Sequence, residues 1–151
     1  MSRSLIPVVL ALLQGVAGAA AQEPLGNKEV PPHQVIALYF HRTERCPTCR
    51  RIAALAEDAV AKGFAEELKS RVVEFRPIDF QDERNAALSK AYRVEGPTLV
   101  LANVFDGEVK RWTPMPRVWQ LVGKPKDFAA YVQAGVTRYL RQTRQEAESE
   151  E

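Results

Sequence analysis

The feature that most constrains this chain is Cys46-Pro47-Thr48-Cys49, which holds its only two cysteines at C-x-x-C spacing behind an apolar run, Val35-Ile36-Ala37-Leu38-Tyr39-Phe40. Unbroken apolar character with β-branched members predicts a strand buried on both faces of a sheet. Pro47 suits the first position of a helix, where a missing N–H costs nothing. That places Cys46 at the N-cap, its sulfur facing backbone donors that have no partner inside the helix. Strand, dithiol and helix are therefore expected to be consecutive.

A thiolate at a helix N-terminus is stabilised by the partial positive charge there, and Arg42, Arg45, Arg50 and Arg51 bring four cations close by in sequence. Cys46 is thus expected to have a depressed pKa and to act as the nucleophile, with Cys49 as its resolving partner. A permanent staple is the bland alternative, but a bridge closing so short a loop removes little unfolded-state entropy. The same thiols also suit a module that binds or passes on a soft metal or metalloid, with His41 and His33 as further donors. Two cysteines make only half a zinc site, and the sequence has no second C-x-x-C and no H-x₃-H, so no metal ligand set is assigned. His41 is either a proton donor beside the dithiol or an ordinary histidine at a strand end. Thr48 either offers its hydroxyl to the thiolate or caps the first helical turn.

The length, 151 residues, fits one compact domain, expected as a monomer. Residues 1–21 read as a secretory signal: Arg3, a hydrophobic run from Leu5 to about Gly18, then Ala19-Ala20-Ala21 as a cleavage site. Pro7 and Gln14 interrupt that run and it is short for a membrane span, so no stable membrane insertion is expected after cleavage. The mature chain is expected in an exported, periplasmic or extracytoplasmic setting, where disulfides persist. Removing Arg3 lowers the formal charge from +2 to +1, which argues against nucleic acid as a partner.

Residues 22–34, with Pro24, Pro31 and Pro32, read as a linker. The domain is placed at 35–141. Its second element is an amphipathic helix with Ile52, Leu55, Ala56, Ala59 and Gly63 on one stripe and Phe64 beside it. A strand over Arg71–Phe80 comes next, giving a parallel β-α-β unit, with Pro77 marking an edge. A helix over Gln81–Tyr92 is expected to face inward through Ala87, Leu88, Ala91 and Tyr92. Gly96 to Val104 forms a strand, Asp106-Gly107 a hairpin turn, and Glu108–Trp112 the returning strand, which Thr113–Pro116 interrupts. A short helical piece over Arg117–Gly123 precedes a last helix carrying Phe128, Tyr131, Val132, Gly135, Val136, Tyr139 and Leu140. Trp112 and Trp119 either line a substrate groove or belong to the core, the reading favoured for aromatic residues in such segments. Residues 142–151 are read as an acidic, disordered tail.

This order, β-(C-x-x-C)-α-β-α-(Gly-Pro-Thr)-β-β-α over about Val35 to Leu140, resembles the thioredoxin-like superfamily. The resemblance implies an α/β fold with a mixed central sheet and helices on both faces, and a cis Gly96–Pro97 bond packed against the sulfurs. More narrowly, Tyr39-Phe40-His41-Arg42-Thr43 leading into Arg45-Cys46-Pro47-Thr48-Cys49, with Arg111-Trp112 and Val118-Trp119-Gln120-Leu121-Val122-Gly123, resembles an exported family labelled nitrophenyl compound nitroreductase subunit. There is no G-x-G-x-x-G and no room for a flavin or nicotinamide domain, so no cofactor is expected. The implied role is redox partner of a disulfide- or dithiol-bearing protein.

Thioredoxins carry a buried acid six residues before the first cysteine, and here that position is Phe40. Without the acid, Cys49 should be harder to deprotonate unless His41 or Glu44 stands in for it. The arginines and Phe40 together point to a couple less negative than that of thioredoxin, at roughly −230 to −150 mV. For the exported protein, intact-mass measurement should give Gln22 as the first residue; a chain still beginning at Met1 would mean that the segment is retained as an anchor.

Overall fold

Residues 30–149 are described by a computed structural model. The expected signal segment and most of the expected linker lie outside the described residues. The expected buried strand is β1 (His33–His41), which is buried at every residue but the first. It runs inside a four-stranded sheet of order β2-β1-β3-β4, formed with β2 (Val73–Asp79), β3 (Thr98–Phe105) and β4 (Glu108–Pro114). β1 and β2 are parallel, with His41 opposite Asp79. β3 is antiparallel to β1, with Thr98 opposite Phe40, and β4 is antiparallel to β3.

The crossover from β1 to β2 contains α1 (Pro47–Gly63) and the short α2 (Ala65–Lys69). α3 (Ala86–Ala91) leads to β3, and α4 (Val118–Leu121), α5 (Pro125–Arg141) and α6 (Arg144–Ser149) come after the hairpin. A β-α-β unit joined to a β-β-α unit in this strand order is the thioredoxin-like fold, as expected.

The period of two along β1 divides the interior into two cores. Val35, Ala37 and Tyr39 pack with Ile52, Ala56 and Val60 of α1 and with Phe128, Val132, Val136 and Tyr139 of α5. Ile36, Leu38 and Phe40 pack on the opposite face with Tyr92, Val100, Ala102 and Val104. Each fully buried apolar side chain of α5 is worth about 1.5–3 kcal/mol, so that helix is held by its stripe and not by helix propensity. Asp106 and Gly107 both have positive φ, 51° and 80°, which is the two-residue hairpin turn that the D-G pair predicts. β2 is an edge strand, as Pro77 implies.

Several expectations change. The helix expected over Gln81–Tyr92 is a 3₁₀ turn at Glu83–Asn85 leading into α3. Asp82 accepts from the Arg84 N–H, and the Asn85 side chain donates to the Asp79 carbonyl at 2.9 Å. Those local bonds start the turn, whose tighter three-residue period shifts the phase of α3. Tyr92 is buried and Leu88 packs against the same core, as expected, but Ser89 takes an inner position and Ala87 and Ala91 face solvent.

β4 runs on through Pro114 because an edge strand tolerates a residue without an N–H. Trp112 is only half-buried, with its ring edge against Tyr92 at 5.5 Å. Trp119 is exposed, since four-residue α4 buries Val118 and Leu121 and turns the two residues between them outward. Within the tail expected to be disordered, Arg144–Ser149 instead forms α6. Thr143 and Glu146 make a reciprocal capping box, Ala147 is buried, and Arg144 donates to Asp106 at 2.7 Å.

Gly135 lets α5 lie close to the sheet. A Cβ there would meet Leu101 Cδ1 at 2.6 Å and Met115 Cε at 3.1 Å. Gly135→Val should therefore overpack this contact and cost on the order of 1–3 kcal/mol. Chemical denaturation would check this, and an unchanged midpoint would show that the core yields there.

Candidate active site

The parallel β-α-β unit delivers the end of β1 to the start of α1, so the dithiol sits at the sheet edge where β1 ends. Cys46 is the N-cap of α1, with φ −67° and ψ 160°, and its sulfur accepts from the Cys49 N–H at 3.2 Å. Pro47 stands in the first turn, as expected. Both cysteines are free thiols, with their sulfurs 2.8 Å apart. Cys46 is exposed and Cys49 is buried.

This asymmetry separates their acidities. The Cys46 thiol is held below its ordinary value, first by the Cys49 thiol and then by backbone N–H groups of Cys49, Thr48 and Cys46 itself. The Cys49 thiol is raised, chiefly by burial and next by Cys46. Of the two, the exposed sulfur therefore loses its proton first, and the buried one keeps its proton to higher pH.

The arginines are arranged otherwise than their density in sequence suggests, and they are not among the main causes of the Cys46 shift. Arg42 and Arg50 are exposed, Arg51 donates through Nε to the Val122 carbonyl at 3.1 Å, and Arg45 donates to His41 Nε2. Backbone donors at contact distance outweigh cations that solvent can screen. Thr48 likewise acts on the thiolate through its backbone N–H.

His41, buried as the last residue of β1, donates from Nδ1 to the Arg42 carbonyl at 2.9 Å. Its Nε2 meets the Arg45 guanidinium, so both ring nitrogens are engaged. It positions the Arg42–Arg45 loop, and neither nitrogen is bonded to the thiols. The loop is tied on its other side by the Thr43 N–H, which donates to Gln81 Oε1 at 3.1 Å.

His33 lies at the other end of β1, about 26 Å away for a strand of this length. It donates to Asn103 at 2.7 Å, and Asn103 donates to Gln142 at 2.9 Å. Neither histidine joins the thiols, and the described residues contain no cluster of three or more His, Cys, Asp or Glu arranged to hold a metal.

Gly96 and Pro97 precede β3 on the same sheet edge as the dithiol, since Thr98 pairs with Phe40. Their peptide bond is trans, as are all those of the described residues, which corrects the expected cis bond. The trans form is intrinsically favoured at X–Pro by about 0.5–1 kcal/mol. Pro97 and Gly96 line a groove of about 310 Å³ with Tyr92, Thr98 and Trp112.

Sequence reasoning passed over Tyr39. Phe40, the position compared with the thioredoxin acid, packs on the α3 side of the sheet, 5.6 Å from the Tyr92 ring. Tyr39 faces α1, is wholly buried, and donates its hydroxyl to the Cys49 carbonyl at 3.0 Å. The signal was available: a tyrosine in an otherwise apolar buried strand needs a partner for its hydroxyl, and strand alternation turns it toward the next helix.

A scan against protein-family models finds no match, and a search of curated proteins finds none either. Among solved structures, the chain is similar to a chloroplastic thioredoxin z, at 23% identity over 62% of this chain and 80% of that one, with a TM-score of 0.35. So loose a superposition adds nothing to strand order and pairing, which identify the fold by themselves.

Alkylation by iodoacetamide should reach half its limiting rate at Cys46 below the ordinary thiol pKa of about 8.5. Arg42→Gln and Arg50→Gln should leave that midpoint in place. A rise of about one unit on either substitution would make the arginines the source of the shift after all.

Proposed function

We propose that this protein is an exported thiol–disulfide oxidoreductase. One observation carries the reading: an exposed sulfur of lowered pKa at a helix N-terminus, 2.8 Å from a buried sulfur of raised pKa. A nucleophile and a resolving thiol need this division of labour. The Cys46 thiolate attacks one sulfur of a partner disulfide, whose other sulfur leaves as a thiolate and takes up a proton. Cys49 then loses its proton and forms the bond to Cys46, and the second partner sulfur departs. The partner disulfide gains two electrons, and the dithiol becomes a disulfide. In the opposite direction the same steps oxidise a partner dithiol.

Export rests on the leader-like residues 1–21 and on the use a reactive dithiol has where disulfides persist. The narrower resemblance to a nitroreductase-subunit family supports a place as the redox partner of a second, disulfide-bearing protein. It gives no support to a nitroreductase acting alone.

The lowered Cys46 pKa favours the reduced form, which moves the couple toward less negative potentials, and the expected range of roughly −230 to −150 mV lies above thioredoxin's value of about −270 mV. A glutathione redox titration checks this, and a value at or below that of thioredoxin would count against it. Insulin reduction with dithiothreitol should be accelerated by the wild type and abolished in Cys46→Ser. Cys49→Ser expressed in the native host should retain its partner as a mixed disulfide on Cys46. Stoichiometric copper(I) or arsenite binding without any disulfide exchange would replace this reading with that of a binding module.

A further inference from the structure

Dithiol exchange at Cys46 and Cys49 has a resolving step with no evident acid or base. Cys49 is buried and its proton is held by desolvation, yet the groups that sequence suggests as helpers are engaged elsewhere. Both His41 nitrogens are occupied. Glu44 is exposed in the loop. The Asp79 carboxylate, at the end of β2, accepts from the Gln81 N–H at 2.9 Å and from the Thr43 side chain. Phe40 belongs to the other core. Among the described residues, the side chains in hydrogen-bond contact with Cys49 are those of Cys46 and Tyr39.

We propose that Tyr39 is the positioning residue for the resolving thiol: its hydroxyl fixes the Cys49 end of the first turn of α1 and sets how readily Cys49 gives up its proton. The inference rests on the reading of the dithiol as a thiol–disulfide exchange centre. Tyr39 is wholly buried in the central strand, so the ring cannot drift, and its hydroxyl meets the Cys49 carbonyl at 3.0 Å. That bond ties the helix turn to the sheet at the residue whose sulfur must move from a 2.8 Å contact to a covalent bond with Cys46.

Burial, and next the neighbouring Cys49, raise the Tyr39 hydroxyl well above the ordinary tyrosine pKa, so it remains a donor throughout. It does not take the Cys49 proton. That proton leaves to water or to the departing partner thiolate while the Cys49 electron pair forms the new S–S bond. The hydroxyl held at the Cys49 carbonyl also acts on the Cys49 sulfur, favouring the charge that appears there against the effect of burial.

Two alkylation series test this without any partner protein. In a Cys46→Ser background, Tyr39→Phe should raise the Cys49 midpoint and lower its thiolate fraction at fixed pH about three- to tenfold, the effect of losing one hydrogen bond. In the intact dithiol, the same substitution should slow mixed-disulfide resolution to a similar degree and leave Cys46 alkylation unchanged. Site-specific 3-fluorotyrosine at position 39 keeps the ring in place and strengthens the donor, so it should move the Cys49 midpoint downward. This arm decides the matter if Tyr39→Phe fails to fold. A Cys49 midpoint that is the same in both variants as with tyrosine, or that moves upward in both, would overturn the proposal and leave Tyr39 as core alone. If the unmodified protein exchanges no disulfides, the functional reading fails, yet the Cys49 midpoint still decides the role of Tyr39.

Discussion

The burial of β1 on both faces is the constraint on which the rest depends. An interior strand must place alternate side chains in two separate cores, so adjacent residues meet entirely different surroundings. Tyr39 and Phe40 show the consequence: one reaches the first turn of α1, and the other packs against Tyr92 beyond the sheet. The chain leaves this strand at His41 and starts α1 five residues after Arg42, so the dithiol inherits its position from the best-buried element of the fold.

Much of the fold is legible because its signals are local and strong. The apolar run of β1, the α5 stripe, the D-G turn and the C-x-x-C start of α1 each rest on one dominant effect. The errors fall where two effects compete. In residues 81–92, side-chain bonds from Asp82 and Asn85 prevail over a weak alanine pattern, and in the C-terminal residues a capping box with an ion pair to the distant Asp106 prevails over acidic composition. The T-x-x-E signature of that box is itself readable, and composition masked it.

The site was legible in its identity and less so in its electrostatics. Counting arginines near a cysteine treats sequence proximity as contact, but a side chain's direction depends on what it finds to bond. Arg45 finds His41, and Arg51 finds the carbonyl just past α4. What remains for the Cys46 sulfur is the Cys49 thiol and then the helix terminus itself, a set of N–H groups fixed by the backbone. Such donors are positioned before the charge forms, and so they cost no reorganisation when it does.

The same geometry explains why the two thiols need different neighbours. A nucleophile must be reachable, and Cys46 combines exposure with donors that cannot move away. A resolving thiol must stay hidden until the mixed disulfide forms, because an exposed second thiolate would compete for the incoming disulfide. Burial achieves this for Cys49 and at the same time raises the barrier to its ionisation. In the strand beneath it, an ionised acid would place a full charge in the core formed with α1 and α5, at a desolvation cost that an exposed carboxylate does not face. A tyrosine hydroxyl carries no such charge and still offers a dipole, and its aromatic ring adds apolar area to the same core. Position 39 thus joins packing and polarity in one side chain, which accounts for a hydroxyl in the middle of an otherwise apolar strand.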